Sequence, residues 1–213
     1  MTRLTVALSK GRLLAPSIGL LARLGLTAST LDRDSRRLVF DSDDRRMGFL
    51  VCKPMDVPTY VERGIADLGI VGADVLMEAD RDVLEPLDLG FAPCRIVLAE
   101  RAGAADPTGG IRAVRRVATK YPRIAERFFA EHGLDVETIK LYGSVELAPI
   151  TGLADAIVDL VETGRTLQAN GLVVTAELAA SSARLIVNRA SHKIHMNQIE
   201  DLVRAMREVL PCG

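Results

Sequence analysis

The stretch ETGRTLQANG at residues 162–171 carries the residue types of a phosphate-binding loop. An apolar run typical of a buried strand precedes it, so the loop is expected at the ligand edge of a sheet. There, Thr163, Gly164, Arg165, Thr166 and Leu167 would offer backbone N–H groups, two hydroxyls and the positive end of a helix dipole. Gly164 permits a positive φ, and Thr166 would be the helix N-cap. An ordinary capped turn is the alternative interpretation.

Two aspartates, Asp155 and Asp159, lie four residues apart in ADAIVDLV, directly before this loop. The spacing predicts that both carboxylates share one face of a strand or a helix. A bare carboxylate is costly to bury among Ala, Ile, Val and Leu, so each should meet water, a ligand or a partner. Acids beside a phosphate loop suit ribose hydroxyls or a magnesium ion that carries phosphates. A solvated strand face is the alternative.

Polar residues also follow two other predicted strands. Glu146 is a candidate catalytic residue together with the two aspartates, and the others are candidate substrate-binding residues. Ser144 and Glu146 come after TIKLYG, and Glu146 would lie near the start of a short helix, where a capping carboxylate is the alternative. Lys10, Gly11 and Arg12 come after LTVALS and would hold a triphosphate or another anion. Ordinary surface cations at a strand end are the alternative for this second set.

The remaining reactive residues show no metal-binding or disulfide pattern. Cys52, Cys94 and Cys212 are the only cysteines and lack ligand spacing, which is typical of reduced thiols in a cytosolic protein. The three histidines also lack metal spacing. A basic stretch at residues 112–123 would face an anionic substrate or a partner, or would simply be solvated.

Composition excludes several classes of protein. The chain has 213 residues, of which 48% are hydrophobic and 26% charged, as is usual for a globular protein. The net charge of -1 gives no electrostatic reason to expect nucleic-acid or membrane binding. No apolar run approaches the roughly 20 residues of a membrane helix. The first residues lack the apolar core of a signal peptide, so a cytoplasmic location is expected.

Alternating strand and helix patterns predict an α/β fold with mostly parallel sheets. The predicted strands are LTVALS, RRLVF, MGFLVC, ADLGIVG, CRIVLA, RRVATK, TIKLYG, ADAIVDLV and RLIVNRA. We interpret LEPLDLGFAP as a turn region, ADPTGG as a loop, and HMNQIEDLVRAMREVL as an amphipathic helix. A break near residues 90–95 predicts two α/β lobes. Residues 1–93 plus 180–213 would form the first, and residues 94–179 the second, which carries the phosphate loop.

Taken together, these segments resemble the short form of ATP phosphoribosyltransferase, the first enzyme of histidine biosynthesis. The resemblance rests on ALSKGRL (7–13), DVPTYVERGIADLGIVGADVL (56–76), VATKYPRIAERFF (117–129) and GSVELAPITGLADAIVDLVETGRTLQANGL (143–172). It implies a fold like that of type II periplasmic binding proteins, with two α/β lobes and a cleft. Lys53 and Ala73 depart from the pattern, where Arg and Lys are expected, so anion binding by the first lobe is open.

The resemblance also implies a reaction. N1 of ATP would be joined to the ribose C1 of phosphoribosyl pyrophosphate with release of pyrophosphate, which Mg2+ would neutralise. The 163–167 loop would hold the 5-phosphate. Asp155 and Asp159 would lie by the ribose, with Glu146 nearby, and residues 10–12 would lie at the nucleotide and pyrophosphate side. No general base is expected, because N1 is already a nucleophile.

The long form of the family has a further C-terminal regulatory domain, for which this chain leaves no room. The resemblance therefore implies a hetero-oligomer with a separate regulatory subunit related to histidyl-tRNA synthetase. The alternative function is a non-catalytic small-molecule-binding module of the same fold, such as a solute-binding protein or the effector domain of a regulator. The sequence shows neither an export signal nor a DNA-binding helix-turn-helix segment, and such a module has no need of acids beside a phosphate loop.

Overall fold

The computed structural model describes residues 3–31, 36–103 and 110–210; at Gly110 and Arg112 it describes the backbone alone. The chain divides into two compact units. Unit 1 comprises Met1–Ala92 and Ser182–Gly213, and unit 2 comprises Pro93–Ser181. Most of the predicted ADPTGG loop, as well as Cys212, lies outside the described residues.

Unit 1 contains a six-stranded sheet with the order β2-β3-β1-β4-β11-β5. Strand β1 runs parallel to β3 and β4, and the other pairs are antiparallel. Its strands are β1 (Leu4–Ser9), β2 (Val39–Asp41), β3 (Met47–Cys52), β4 (Leu68–Gly72), β5 (Leu84–Asp88) and β11 (Ala183–Val187). Its helices are α1 (Leu14–Arg23), α2 (Val57–Glu62), α3 (Ala73–Ala79), α7 (Arg189–Ile194) and α8 (Met196–Val209).

Unit 2 contains a five-stranded sheet with the order β10-β6-β9-β7-β8. Strand β7 runs parallel to β8 and β9, whereas β6 is antiparallel to β9 and β10. Its strands are β6 (Cys94–Arg101), β7 (Arg116–Thr119), β8 (Glu137–Lys140), β9 (Ala156–Val161) and β10 (Leu172–Ser181). Its helices are α4 (Pro122–Glu131), α5 (Leu147–Thr151) and α6 (Arg165–Ala169).

Apolar patterning explains why these segments fold as they do. The central strands β1 and β4 are almost continuously buried, as expected for strands covered on both faces. The predicted C-terminal helix is confirmed as α8, which buries Ile199 and Met206 in the unit 1 core. Among the described residues, none of the helices is both long and apolar enough to cross a membrane.

Three sequence-based expectations about the sheets need correction. The sheets are mixed rather than mostly parallel, since each has antiparallel strands beside a parallel group. LEPLDLGFAP is not only a turn, because it begins with edge strand β5, where Pro86 is tolerated. Strand β10 was not predicted. Its irregular exposure and two register shifts against β6 obscure the alternation that marks a strand.

Candidate functional site

Three parallel strands of unit 2 bring their carboxyl ends to one sheet edge. In β7, Thr119 lies opposite Lys140 of β8 and Val158 of β9. Residues that follow these strands, namely Lys120, the Ser144–Glu146 segment and the Thr163–Leu167 loop, therefore emerge on the same side of the sheet.

Buried Thr119 holds two of these strand ends in place. Its hydroxyl donates a hydrogen bond to the Val158 carbonyl oxygen at 2.6 Å and accepts one from the Tyr121 N–H at 2.9 Å. The Leu141 N–H donates to the Thr119 carbonyl oxygen at 2.9 Å. Because these bonds lie away from solvent, they fix where the segments after β7 and β8 begin.

The Thr163–Leu167 loop turns from β9 into α6 over a single left-handed residue. Gly164 occupies the N-cap position with φ 76° and ψ 0°, a conformation that suits glycine because it lacks a Cβ atom. Leu167 is buried in the core beside Val161, so its side chain anchors the turn from below. Thr163, Arg165 and Thr166 are exposed above it. The predicted N-cap role of Thr166 is wrong, because Thr166 lies inside the first turn of the helix.

A cavity of about 260 Å³ opens beside this loop. The whole Thr163–Leu167 loop lines it, together with the end of β9 and two carboxylates, Asp159 from β9 and Glu146 from the N-cap position of α5. Hydroxyls, backbone N–H groups and carboxylates thus come from three separate elements to one concave surface, which is the usual arrangement of a polar ligand site.

The environment of Asp159 is shaped by burial and by two neighbouring charges. Half-burial raises the pKa of its carboxyl, and the negative charge of Glu146 adds to that rise. The Leu160 N–H and the Lys120 ammonium act in the opposite direction. Two carboxylates that repel each other across a cavity favour a ligand with hydroxyl donors or positive charge between them.

The structure does not bring Asp155 to the loop. Asp155 precedes the first residue of β9, whereas the loop follows its last. The two aspartates are four residue steps apart along the strand, which is about 13 Å. The Arg115 and Arg116 N–H groups donate to Asp155 Oδ2 at 3.0 and 2.9 Å. Although burial opposes ionisation, these bonds and the Arg116 charge lower the pKa of Asp155. The prediction that both acids flank the loop is corrected accordingly.

The remaining predicted residues are divided between the two units. Ser144 is exposed and does not line the cavity, but it adopts a left-handed φ of 46° two residues before Glu146. Lys10, Gly11 and Arg12 lie in unit 1, directly after β1.

The Lys10–Arg12 segment has its own fixed geometry. The Lys10 N–H donates to the Cys52 carbonyl oxygen at 2.8 Å, and Gly11 has φ 86°. The Arg12 guanidinium donates to the Ala92 carbonyl oxygen at 3.3 Å and lies 3.9 Å from the carboxylate of Asp74, a buried residue. Lys10 is exposed. The segment thus combines a restrained guanidinium with an accessible ammonium group after a parallel strand.

Sequence reasoning did not single out Lys120, which does not line the cavity but lies close enough for its charge to lower the pKa of Asp159. Lys120 was counted with the basic stretch at 112–123, yet its charge acts directly on Asp159. Its position immediately after the predicted strand RRVATK was the available signal, because residues at strand carboxyl ends line ligand sites in such sheets.

No group of three or more His, Cys, Asp or Glu residues with metal-binding geometry occurs in the part of the chain that the structure describes. Asp159 and Glu146 are nevertheless oxygen donors of the kind that Mg2+ prefers. A protein site with only one or two carboxylates suits Mg2+ that is held mainly by substrate phosphates.

Comparison with known proteins gives a consistent result. The family model described as HisG: ATP phosphoribosyltransferase matches residues 53–208. The chain is 48% identical to an ATP phosphoribosyltransferase from Geobacter metallireducens over 208 residues, covering 96% of this chain and 97% of the relative. It is 47% identical to one from Caldanaerobacter subterraneus subsp. tengcongensis over 213 residues, covering 100% of both chains.

Solved structures support the same grouping. An ATP phosphoribosyl transferase (HisG:HisZ) complex from Thermotoga maritima is similar with a TM-score of 0.82 and 34% identity, covering 97% of this chain and 98% of that chain. The alkanesulfonate-binding protein SsuA from Xanthomonas axonopodis pv. citri matches with a TM-score of 0.59 and 14% identity, covering 98% of this chain and 73% of that chain. The second likeness concerns the fold alone, and it confirms the predicted type II periplasmic-binding-protein-like class.

Proposed function

Since the chain belongs to the ATP phosphoribosyltransferase family, we propose that the cavity beside Thr163–Leu167 is its phosphoribosyl site. Enzymes of this activity join N1 of ATP to the ribose C1 of phosphoribosyl pyrophosphate and release pyrophosphate, as the first step of histidine biosynthesis. One observation carries the assignment: two carboxylates from different elements share a cavity with an exposed Thr-Gly-x-Thr turn. Family membership also favours an enzyme over the non-catalytic binding module.

The loop is proposed to hold the 5-phosphate. Gly164 presents the backbone without a side chain, and Thr163 and Thr166 place hydroxyls on the exposed side of the turn. Backbone N–H groups and hydroxyls that converge on one point form charge-assisted hydrogen bonds with a phosphate. Arg165 is exposed within the same turn and adds positive charge.

Asp159 and Glu146 are proposed to face the ribose. Ribose hydroxyls donate hydrogen bonds, and carboxylates are acceptors. As pyrophosphate departs, positive charge develops on the ribose ring, and two nearby negative charges stabilise it. Displacement by N1 of ATP needs both substrates aligned but needs no general base, so the protein contributes chiefly position and electrostatics. Asp155 takes no part in this step, because it does not line the cavity.

The reaction must also stabilise the negative charge that develops on the departing pyrophosphate. Mg2+, held by the pyrophosphate together with Asp159 or Glu146, would supply positive charge there. Lys10, Gly11 and Arg12 are proposed to bind the nucleotide or pyrophosphate, as cations after a parallel strand with glycine between them.

A regulatory partner and a location complete the proposal. The similar Thermotoga maritima structure is a HisG:HisZ complex, and we propose that this chain likewise assembles with a regulatory subunit related to histidyl-tRNA synthetase. Both substrates are cytoplasmic metabolites, and we place the enzyme in the cytoplasm.

A pyrophosphate-release assay with ATP, phosphoribosyl pyrophosphate and Mg2+ tests the proposed reaction. Release is expected only when both substrates are present, and it should increase when the regulatory subunit is added. Calorimetric titration of phosphoribosyl pyrophosphate into the Thr166→Val and wild-type proteins tests the site itself. Absence of turnover even with the partner, together with unaltered binding by Thr166→Val, would refute both the activity and its location.

A further inference from the structure

Unit 1 contains a cavity of about 380 Å³ that the proposed function does not use. It lies at the amino ends of β1 and β3, where the first residues of the two strands, Leu4 and Met47, are opposite each other. The Lys10–Arg12 segment follows the carboxyl end of β1, so the length of that strand, about 17 Å, separates it from the cavity. A ligand in this cavity would therefore not compete with a substrate bound at residues 10–12.

Most side chains around the cavity are apolar. Leu4 and Met47 are buried, whereas the apolar side chains that flank them are half-buried and still expose surface. Helix α8 presents one face, because Gln198, Leu202 and Ala205 recur at helical spacing. The apolar wall consists of Leu4, Leu24, Leu26, Met47, Leu202 and Ala205. The hydrocarbon part of a ligand would gain free energy by covering this wall, and the volume is within the range of small-molecule sites.

Four charged residues line the cavity, and three of them have an ion-pair partner within the chain. The pairs are Arg3–Asp41, Arg46–Asp44 and Arg204–Asp201. The fourth residue is Arg45, which is exposed and forms no side-chain hydrogen bond or ion pair with any residue that the structure describes. Among the described residues, the cavity lining thus carries one positive charge without a partner, beside an apolar wall.

The backbone of Arg45 gives an independent reason to assign its side chain a role. Arg45 lies in the turn between β2 and β3, where its N–H donates to the Ser42 carbonyl oxygen at 2.8 Å. Its φ is 57°, in the left-handed region that disfavours a residue with a Cβ atom and that glycine adopts freely. An outlier of this kind beside a cavity supports a function for the side chain that the turn alone does not require.

We propose that this cavity binds a small apolar monocarboxylate, whose carboxylate pairs with Arg45 and whose hydrocarbon body packs on the apolar wall. A guanidinium can donate two parallel hydrogen bonds to one carboxylate. A phosphate monoester carries nearly two negative charges at neutral pH and would exceed the one unpaired positive charge. A sugar phosphate also lacks an apolar body, so the substrates of the proposed reaction are poor occupants.

Calorimetry with unbranched alkanoates, from butanoate to decanoate, tests both halves of the proposal. Affinity should rise about fourfold with each added CH₂ group until the cavity is filled, because each group covers more of the apolar wall. The matched primary alcohols and alkylamines should bind at least tenfold more weakly, because neither offers a carboxylate to Arg45. Equal binding of the matched amine would overturn the proposal. Absence of binding by every alkanoate would also overturn it and would favour an acidic, apolar segment of a partner protein as the occupant.

Variants locate the binding. Arg45→Gly should weaken the Kd of the best alkanoate about tenfold or more, whereas Arg45→Lys keeps the charge and should lose less. Ala205→Leu fills part of the cavity from a helical position that leucine suits, and it should also weaken binding at least tenfold. Arg127→Gln removes an exposed charge of α4 outside the cavity and should leave the Kd unaltered. An equal loss in Arg127→Gln would show that binding occurs elsewhere.

Thermal unfolding without ligand separates a binding role of Arg45 from a structural one. Arg45→Gly should keep or raise the unfolding midpoint, because glycine relieves the left-handed strain and no ion pair is lost. A lower midpoint would show that the side chain serves the fold and would overturn the proposal. Phosphoribosyl pyrophosphate should bind Arg45→Gly as it binds wild type, so failure of this inference would be distinguishable from failure of the phosphoribosyl assignment.

Discussion

Replacement of Asp159 by Asn is the most informative perturbation of the candidate site. The change keeps the shape of the side chain but removes its negative charge from a half-buried position in the cavity. A hydrogen bond to a charged group contributes about 1.5–3 kcal/mol. Loss of that amount from the transition state corresponds to a roughly 10- to 150-fold lower kcat/KM.

The fold should tolerate this change. Burial raises the pKa of Asp159, which means that the surroundings disfavour its ionised form. A neutral amide removes that desolvation cost, so the free energy of unfolding should stay within about 1 kcal/mol of wild type. Activity would be measured by pyrophosphate release with the regulatory subunit present, and stability by urea unfolding of the same preparations.

Asp155→Asn is the matched control. It makes the same chemical change four residues earlier, at a position that does not line the phosphoribosyl cavity. It should lower stability by about 1 kcal/mol, since the Arg115 and Arg116 N–H groups lose a charged acceptor that is itself partly screened by solvent. Its kcat/KM should stay within about threefold of wild type, which is under 1 kcal/mol. Wild-type kinetics for Asp159→Asn, or an equal loss for a folded Asp155→Asn, would refute the assignment.

Three further outcomes are expected. Thr166→Val should weaken phosphoribosyl pyrophosphate binding by about 1–3 kcal/mol, measured by calorimetry, through loss of one phosphate-facing hydroxyl. Gly164→Ala should lower the free energy of unfolding, measured in urea, by about 1–2 kcal/mol, because a residue with a Cβ is strained at φ 76°. A clash does not contribute, since the nearest atom to the new Cβ, in Val161, is 3.9 Å away. An unaltered midpoint would contradict this. The stability difference between wild type and Asp155→Asn should be present at neutral pH. Since the folded-state pKa of Asp155 lies below the ordinary value of 3.8, the difference should disappear as the pH falls through that lowered pKa, and a constant difference in acid would contradict the linkage.

Local sequence patterns predicted most elements that build the site. The buried strand before the loop and the short helix after TIKLYG both form where apolar spacing and turn residues indicated. These features are short-range, because the side-chain period and the turn residues act within a few positions. Edge strands β5 and β10 were missed, since exposure on one side leaves little apolar pattern to recognise.

By itself, the sequence determined that a Thr-Gly-x-Thr turn with acids nearby follows a buried strand, and it supported assignment to a family. Only the tertiary structure decided which acid meets the turn. Side-chain alternation assigns Asp155 and Asp159 to one face of β9 but does not say what lies at each end of the strand. The register of the neighbouring strands decides which residues lie at each end. Lys120 and Glu146 lie near Asp159. Asp155 lies with Arg116 and Glu100 at the far end. Long-range pairing of this kind depends on the whole sheet, so no short segment encodes it.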